Sequence, residues 1–549
     1  MSELYDIGGD ERRAFWADAA ADEIEANRPD GGDGESIVIK GGVSPSGVPH
    51  LGHFNEIMRG YFVAEALRER GHEVEQVFTT DDRDRLRKLP RKLADLEWNV
   101  VGLGEVDAGA LGRNLGKPYT DVPDPFGCCD SYGAHFTELL RRSAAAVGVP
   151  IEIVSNTELY ESGRFDGAVE TVLENRATAR EVLSTFQDKV DDEYVPFFAR
   201  CSECGHLTET ITAIDLGSKT VEYACRDVEA GEDTIEGCGH EGTATFREGK
   251  LPWRFEWPAQ WLTLGVDFEP FGKDHAEGSW PSGEAIARDV FGFEPPVPMV
   301  YEWFTLNGDA LSSSAGNLIT VDEVLELLEV EVIRYFFTKN PKKQRDFDVG
   351  RIDRLVDEFD RFERAYFGDG TDIDPEEADR AERAYPMIAD ELETPPIRIP
   401  YTFAAVLGMT DDRDLRVAMA QRSGHLPDDA TDAEIDAALE RVERARAWAV
   451  RTDNEFNYRL AETLPKAAFD EDTETALGEL AAFIGSESPD GDALQEEIYE
   501  TARRNDVAVG EFFSAGYRLF LDETEGPRLG PFLAALDDSF VVRRLRREG

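Results

Sequence analysis

Basic residues are outnumbered by acidic ones almost two to one in this chain. Its 58 lysines and arginines stand against 113 aspartates and glutamates, a formal net charge of −55 over 549 residues. A nucleic-acid binder of the ordinary kind carries a basic surface, so this balance argues against one. It does not imply disorder, because 41% of the residues are hydrophobic and clear periodic segments are present. A protein from a salt-saturated cytoplasm reconciles the two. At 1 M salt the Debye length is about 3 Å, and self-repulsion is screened. An acidic surface then leaves room for an RNA partner, but counterion release drives binding weakly and shape, stacking and base-edge contacts must do more.

Cysteine is also scarce. Six in 549 residues exclude a disulfide scaffold and fit a reducing, cytoplasmic location. No run of about 18 apolar residues occurs, so no membrane-spanning helix is expected. The opening MSELYDIGGDERR has no basic stretch followed by an apolar one, so no secretory leader is expected. Repeats and low-complexity tracts are absent as well. The length allows roughly three or four domains.

What is present is organised around Ile37 to His53, IVIKGGVSPSGVPHLGH. Ile37, Val38 and Ile39 signal a short strand. Gly41 and Gly42 end it, Pro45, Ser46 and Gly47 turn, and a helical pattern follows through Phe54, Ile57, Met58, Tyr61 and Leu67 to Gly71. His50 and His53 therefore fall where a strand hands over to a helix, the place where an α/β sheet binds phosphate on free N–H groups. Two exposed polar residues at a helix start is the plain alternative. Val74–Thr80 is a second strand, giving a βαβ start and a parallel sheet. It ends in Asp81-Asp82-Arg83-Asp84, on the ligand side of such a sheet or in a solvated loop.

Helices are expected over 11–27, up to about Val147, and over 164–186, with a strand at 151–155. Cys201-x-x-Cys204-Gly, with Cys225 and Cys238, begins a separate module suited to tetrahedral Zn²⁺. His240 is an alternative fourth ligand, and redox cysteines or a decayed site are the other readings. Cys128 and Cys129 read as ordinary thiols. KLPWRFEWPAQW at 250–261 is a core anchor, or a pocket wall with Glu256 as counter-charge. Thr320-x-x-Glu323 is a capping box for a helix reaching about Lys339, after which Lys342, Lys343 and Arg345 form a basic cluster. From about residue 350 only helices are expected, at 351–367, 376–391, 433–451, 474–484 and 491–504. The basic end VVRRLRREG completes a helix dipole or touches RNA.

Taken in order, HLGH at 50–53, DDRD at 81–84, PDPFG at 123–127, CSECG at 201–205, WRFEWPAQW, GKDH at 272–275 and LSSSAGN resemble the class I lysyl-tRNA synthetases of the archaeal type. The likeness is close over roughly residues 10–350 and weaker beyond. It implies an α/β fold: a Rossmann-type catalytic domain in two halves (1–200 and 250–345), an inserted zinc module (201–249) and an all-α connector and anticodon-binding region (346–549). It implies activation of L-lysine with ATP and Mg²⁺ and transfer to tRNA(Lys). By the same resemblance His50 and His53 hold ATP phosphates, with Pro45, Ser46, Gly47, Gly52, Gly272, Asp274 and His275 also at ATP. Gly42 and Ser44 dock the amino-acid backbone, and Glu256, Trp257, Tyr301 and Glu302 are candidates for the lysine side chain.

One departure concerns the KMSKS-type loop, read here as Ala310-Leu311-Ser312-Ser313-Ser314 followed by Ala315, with no lysine. Ser312, Ser313 and Ser314, backbone N–H groups, Mg²⁺ and a cation such as Lys342 would have to stabilise the pyrophosphate leaving group. The competing function is a catalytically weak paralogue that binds tRNA or nucleotide without aminoacylating.

Overall fold

The computed structural model describes residues 13–28, 36–149, 151–188, 190–230, 233–311, 316–368 and 373–548. Five strands make the central sheet: β1 (Ile37–Val43), β2 (Val74–Thr80), β3 (Glu152–Ser155), β4 (Phe268–Gly272) and β5 (Val297–Tyr301). Their order across the sheet is β3-β2-β1-β4-β5, and every neighbouring pair is parallel. The order reverses between β1 and β4. Connections on the two sides of that point diverge to opposite faces, which leaves a crevice at the strands' C-terminal ends.

Sequence dictates why β1 sits centrally. Ile37, Val38 and Ile39 are all buried, as expected of a parallel strand covered on both faces. Helix α2 (His53–Glu69) lies against β1, β2 and β4, and helix α1 (Trp16–Ala26) packs on α2 and reaches β5. Phe54, Ile57, Met58, Phe62 and Leu67 on α2 are fully buried, with Phe15 and Trp16 packing edge-on to Phe62. Gly42 is glycine because a Cβ there would lie 2.5 Å from Thr79 Oγ1 on β2.

Helix α3 (Tyr132–Ala146), capped by Ser131, follows the segment after β2. A small core of Leu86, Leu93, Leu111, Tyr119, Tyr132 and Phe136 holds that segment, and it includes Val48 from the loop between β1 and α2. The cysteine module is built from short antiparallel strands (Ile211–Asp215, Thr220–Ala224 and Glu241–Thr245). Its Val221, Tyr223 and Phe246 share a core with Phe165, Val169 and Leu173 of the preceding helices.

Helix α4 (Trp253–Leu264) presents Trp253, Trp257 and Trp261 at four-residue spacing, hence on one face. Two of these indoles, Trp257 and Trp261, converge on one buried carboxylate of β4. Glu269 accepts Trp257 Nε1 at 2.8 Å and Trp261 Nε1, and forms a 2.7 Å ion pair with Lys40 of β1.

The chain divides into two compact units. One comprises Met1–Val324, Ile333–Asp348 and Glu382–Ile388; the other comprises Leu325–Val332, Val349–Ala381 and Ala389–Gly549. The second is helical, including Ile352–Phe367, Asp432–Thr452, Glu471–Glu487, Gly491–Arg504 and Val509–Leu521. Its buried hub is Arg441, bidentate on Asp360 at 2.8 and 2.9 Å and bonded to Glu329 at 2.5 Å. Near its end Arg544 lies over Phe540 and donates to the Leu519 and Ala461 carbonyls, so that arginine is structural. Trp448 is buried with Nε1 on the Val349 carbonyl, and Tyr458 is buried too, so both are core.

Three helix expectations are corrected. The span 164–186 is two helices, Asp166–Glu174 and Arg176–Ser184, parted at Asn175, a residue type that competes with the helix interior for backbone hydrogen bonds. The helix after Thr320 is Val321–Leu325 and Val330–Thr338. In the gap the Leu327 carbonyl takes Tyr401 OH and Glu329 takes Arg441. The expected helix 376–391 is Pro375–Ala384, ending just before Tyr385-Pro386, because proline disfavours helical backbone in the residue ahead of it.

Candidate active site

Between the ends of β1 and β4 lies a cleft of about 440 Å³ lined by His50, Gly52, His53, Glu56, Gly272, Asp274, His275, Tyr301, Trp303 and Leu311, among others. It is the crevice that the strand order calls for.

The two histidines are arranged with care. Their rings stack at 4.0 Å and 23°. Gly52 N–H donates to His50 Nδ1 at 3.0 Å, and His50 N–H donates to His53 Nδ1 at 3.1 Å. Gly52 permits this fold-back, since a Cβ there would stand 2.7 Å from His50 Cε1. Burial, then the charge of His53, hold His50 well below the usual imidazole range, and burial takes His53 down to about 4. Both rings are therefore neutral near pH 7. Each Nδ1 is an acceptor, so each remaining proton sits on Nε2. The pair offers two neutral Nε2–H donors held by backbone.

One turn on from His53, Glu56 reaches back to β1. Its carboxyl accepts Gly42 N–H at 2.6 Å and Tyr301 OH at 3.0 Å. Burial raises it to about 8, against the pull of the Gly42 hydrogen bond and with a push from Glu269. It is thus largely protonated at neutral pH and poised to ionise beside a cation.

Beneath β2 lies a second charged group. Lys250 is fully buried and pairs with Asp84 and, at 2.7 Å, with Glu256. Glu256 also accepts Tyr160 OH at 2.8 Å. Burial opposes charge on Lys250, yet Asp84, Glu256 and Asp81 hold it above the ordinary lysine range. Asp81 accepts Asn156 and Gln260 side-chain amides at 2.8 and 3.1 Å; burial and the charges of Asp84 and Glu256 lift it to about 7.

Of the sequence candidates, His50, Gly52, His53, Gly272, Asp274, His275 and Tyr301 line one cleft. Gly42 joins it through Glu56. Pro45, Ser46 and Gly47 form the turn before it, with Ser46 N–H on the Ser44 carbonyl and Tyr132 OH on the Ser46 carbonyl. Trp257 backs His275 at 5.4 Å. Glu256 is committed to Lys250, and Glu302 pairs with Lys273 at 2.5 Å. Ser312, Ser313 and Ser314 lie outside the described residues. The base of their loop is described: Asn317 Nδ2 donates to the Ala310 carbonyl at 2.9 Å. Lys342 is partly buried, which lowers its ammonium, and the nearby Gln344 lines the cleft.

Glu56 and Trp303 were missed in the sequence. Trp303 is 46% exposed at the cleft, donates to Asp274 at 3.3 Å and carries Lys273 Nζ 4.9 Å from its ring centroid.

Two groups of side chains suit a metal ion. Cys201, Cys204, Cys225 and Cys238 bring all four sulfurs within 4.8 Å of one another, with Cys201–Cys238 and Cys204–Cys225 each at 3.7 Å. A tetrahedral zinc with bonds of about 2.3 Å spaces its sulfurs by about 3.8 Å. His240 instead meets Ser202 Oγ at 3.2 Å. Cys128 and Cys129, expected as ordinary thiols, lie with Asp124 and His135 in a second cluster of this kind. His135 Nε2 donates to the Ala94 carbonyl at 2.8 Å, which turns the Nδ1 lone pair toward Cys128, 3.3 Å away. Asp124 Oδ2 accepts the Cys128 and Cys129 N–H groups at 2.7 Å, and Oδ1 accepts Phe126 N–H at 3.0 Å while facing His135 at 3.3 Å. Such outer hydrogen bonds are what orient metal ligands.

Comparison with known proteins gives one consistent result. The family model for tRNA synthetases class I (K) matches residues 14–390. The lysine–tRNA ligase of Natronomonas pharaonis is 79% identical over 550 residues, covering 100% of both chains. That of Haloarcula marismortui is 66% identical over 99% of both, and that of Pyrococcus horikoshii 33% identical over 97% of this chain and 99% of its own.

Proposed function

Because the chain belongs to the class I lysyl-tRNA synthetases, we propose that the cleft at the β1–β4 switch point is where L-lysine is joined to ATP before transfer to tRNA(Lys). The observation that carries this reading is the stacked His50–His53 pair, two neutral N–H donors at a helix start on the ligand side of a parallel sheet.

The chemistry is an in-line displacement. A lysine carboxylate oxygen attacks the α-phosphorus of ATP, the bond to the bridging oxygen breaks, and pyrophosphate leaves with the electron pair. Positioning and charge stabilisation supply most of the catalysis. His50 and His53 donate Nε2–H to phosphate oxygens. Trp303 offers its exposed face to adenine, and Gly272, Asp274 and His275 border the ribose. Mg²⁺, when bound with ATP, neutralises phosphate charge. A ribose hydroxyl of the tRNA then attacks the lysyl carbonyl, its proton is lost, and AMP departs.

Lysine recognition falls to Glu56 and Tyr301. Glu256 already faces Lys250 and Glu302 faces Lys273, whereas Glu56 is a half-buried carboxyl that lines the cleft and, among the described residues, forms no ion pair. Binding an ammonium group next to it requires the carboxylate form. Lysine KM should therefore fall as pH rises toward about 8 and level off beyond, and Glu56→Gln should raise KM and flatten the profile.

The second unit is the anticodon-binding region in this reading. A cavity of about 670 Å³ lined by Phe403, Arg422 and His425, among others, suits an unpaired base there. Both side-chain clusters hold zinc as structural metal. Elemental analysis of the purified protein should give about two zinc ions per chain, falling by one in Cys204→Ser and by one in Cys128→Ser.

Lysine-dependent ATP–pyrophosphate exchange in multimolar KCl, with and without tRNA, tests the whole reading. Exchange with lysine alone among the amino acids is expected. Its absence under both conditions from folded protein would support the inactive paralogue, which the lysine-free loop favours.

A further inference from the structure

Residues 83–92 read RDRLRKLPRK, six basic and one acidic in ten, in a chain where acidic residues outnumber basic ones 113 to 58. Two of the six are structural. Arg83 is buried on the Gly249 and Arg247 carbonyls, and Arg85 pairs with Glu209 at 2.9 Å. Arg87, Lys88, Arg91 and Lys92 are exposed.

Exposed arginines elsewhere find carboxylates readily: Arg413 meets Asp436 at 2.7 Å, Arg504 meets Glu497 at 2.6 Å, and Arg547 meets Glu474 at 2.7 Å. Among the described residues, Arg87, Lys88 and Arg91 form no ion pair. Their acidic neighbours are occupied: Asp84 by Lys250, Asp121 by Arg200, Asp95 by Asn99 and two backbone N–H groups. Lys92 Nζ donates to the Gly316 carbonyl at 3.1 Å.

The segment is held firmly. Leu86, Leu89 and Leu93 point into the core that also takes Val48 and Leu318. Leu86 exchanges backbone hydrogen bonds with Lys117 and Gly116, and the Arg91 carbonyl accepts Leu103 N–H. Leucines inward at this spacing leave the cations outward. Leu318 in that core and Lys92 on Gly316 set this segment beside the base of the loop whose Leu311 lines the cleft.

We propose that Arg87, Lys88 and Arg91 form a phosphate-binding face for the single-stranded 3′ end of the tRNA, holding its terminal ribose at the cleft for the transfer step. This rests on the adenylation reading given above. A single-stranded polyanion fits because three exposed cations on a firmly held, non-helical run can follow successive phosphates, and because the reaction needs the strand's end here. Salt weakens each contact without abolishing it, and the rest of the tRNA supplies the remaining affinity.

The test is the triple variant R87Q/K88Q/R91Q, with Lys92 kept because it holds Gly316. Fluorescence anisotropy would measure tRNA binding between 0.5 and 3 M KCl, using intact tRNA(Lys) and tRNA lacking its last four nucleotides. Lysine-dependent exchange, with saturating tRNA where needed, and the melting temperature are the controls. The variant is expected to bind intact tRNA at least about tenfold more weakly at the lowest salt. The slope of log affinity against log salt should shrink by about 2, three contacts at about 0.7 each. Truncation should weaken wild type and leave the variant unchanged, and R87K/K88R/R91K should restore binding. Wild-type affinity and slope in the triple variant would overturn the proposal. So would an equal loss for intact and truncated tRNA, which would move the contact away from the 3′ end. Wild-type protein without lysine-dependent exchange would instead sink the adenylation reading, so the two failures are distinct.

Discussion

Replacing His53 with alanine is expected to slow lysine-dependent ATP–pyrophosphate exchange by about 10²–10³-fold, with lysine KM close to its starting value. The size follows from what is lost. One N–H donor, fixed by the His50 backbone, disappears from the phosphates as charge moves toward pyrophosphate. Lysine KM stays because Glu56 and Tyr301 keep their own bond at 3.0 Å. The pH profile tests the protonation state. With His53 held at about 4 and His50 also depressed, kcat/KM for ATP at saturating lysine should stay flat between pH 6 and 7.5. Histidines acting as imidazolium in the free enzyme would give a steep loss across that window. Stability has the matching sign. The unfolded chain binds these protons from about pH 6.5, whereas in the folded chain His53 takes its proton only near 4 and His50 is also held down by burial, so falling pH below about 6.5 favours unfolding.

The largest effect on stability should come from Lys250→Met. Breaking a buried ion pair by removing one partner costs about 3–5 kcal/mol, and here Glu256 would stay wholly buried opposite Asp81 and Asp84. Thermal unfolding in concentrated KCl should show the loss as a lower midpoint. K250M/E256Q should recover most of it, because a neutral amide keeps the Tyr160 hydrogen bond without an unpaired charge. If the double variant were no more stable than the single one, the cost would lie in lost packing around the lysine stem.

How much of this was readable beforehand depends on sequence distance. The strand, turn and helix from Ile37 through His53 could be read directly, because their signals are local: β-branched residues, then glycines, then helical spacing. The Cys201–Cys204 pair was equally plain. Glu56 was not, because an acidic residue one turn into a helix of a very acidic chain looks like surface; only its return to Gly42 N–H turns it from solvent into the cleft. Glu256 invited a reading as a substrate's counter-charge because its partners Asp84-bound Lys250 and Tyr160 are joined to it by folding; Tyr160 is 96 residues away. The Asp124–His135 cluster escaped because adjacent cysteines lack familiar ligand spacing, and a loop and a helix must meet before four donors face one point.

The sheet order also sets a timetable for synthesis. β1 and β4 are hydrogen-bonded neighbours, with Ile39 opposite Phe268, yet most of the first unit is made between them. At roughly 5–20 residues per second, β1 waits on the order of 10–45 s on the ribosome before its partner exists. During that wait one edge of the β1–β2 pair is open, a state that invites pairing with other chains. The cysteine module lies wholly within the interval and can bring its four cysteines together before β4 appears. Truncated nascent chains ending before and after residue 301 should therefore differ sharply in protease resistance of the β1 segment, with the module already protected in both.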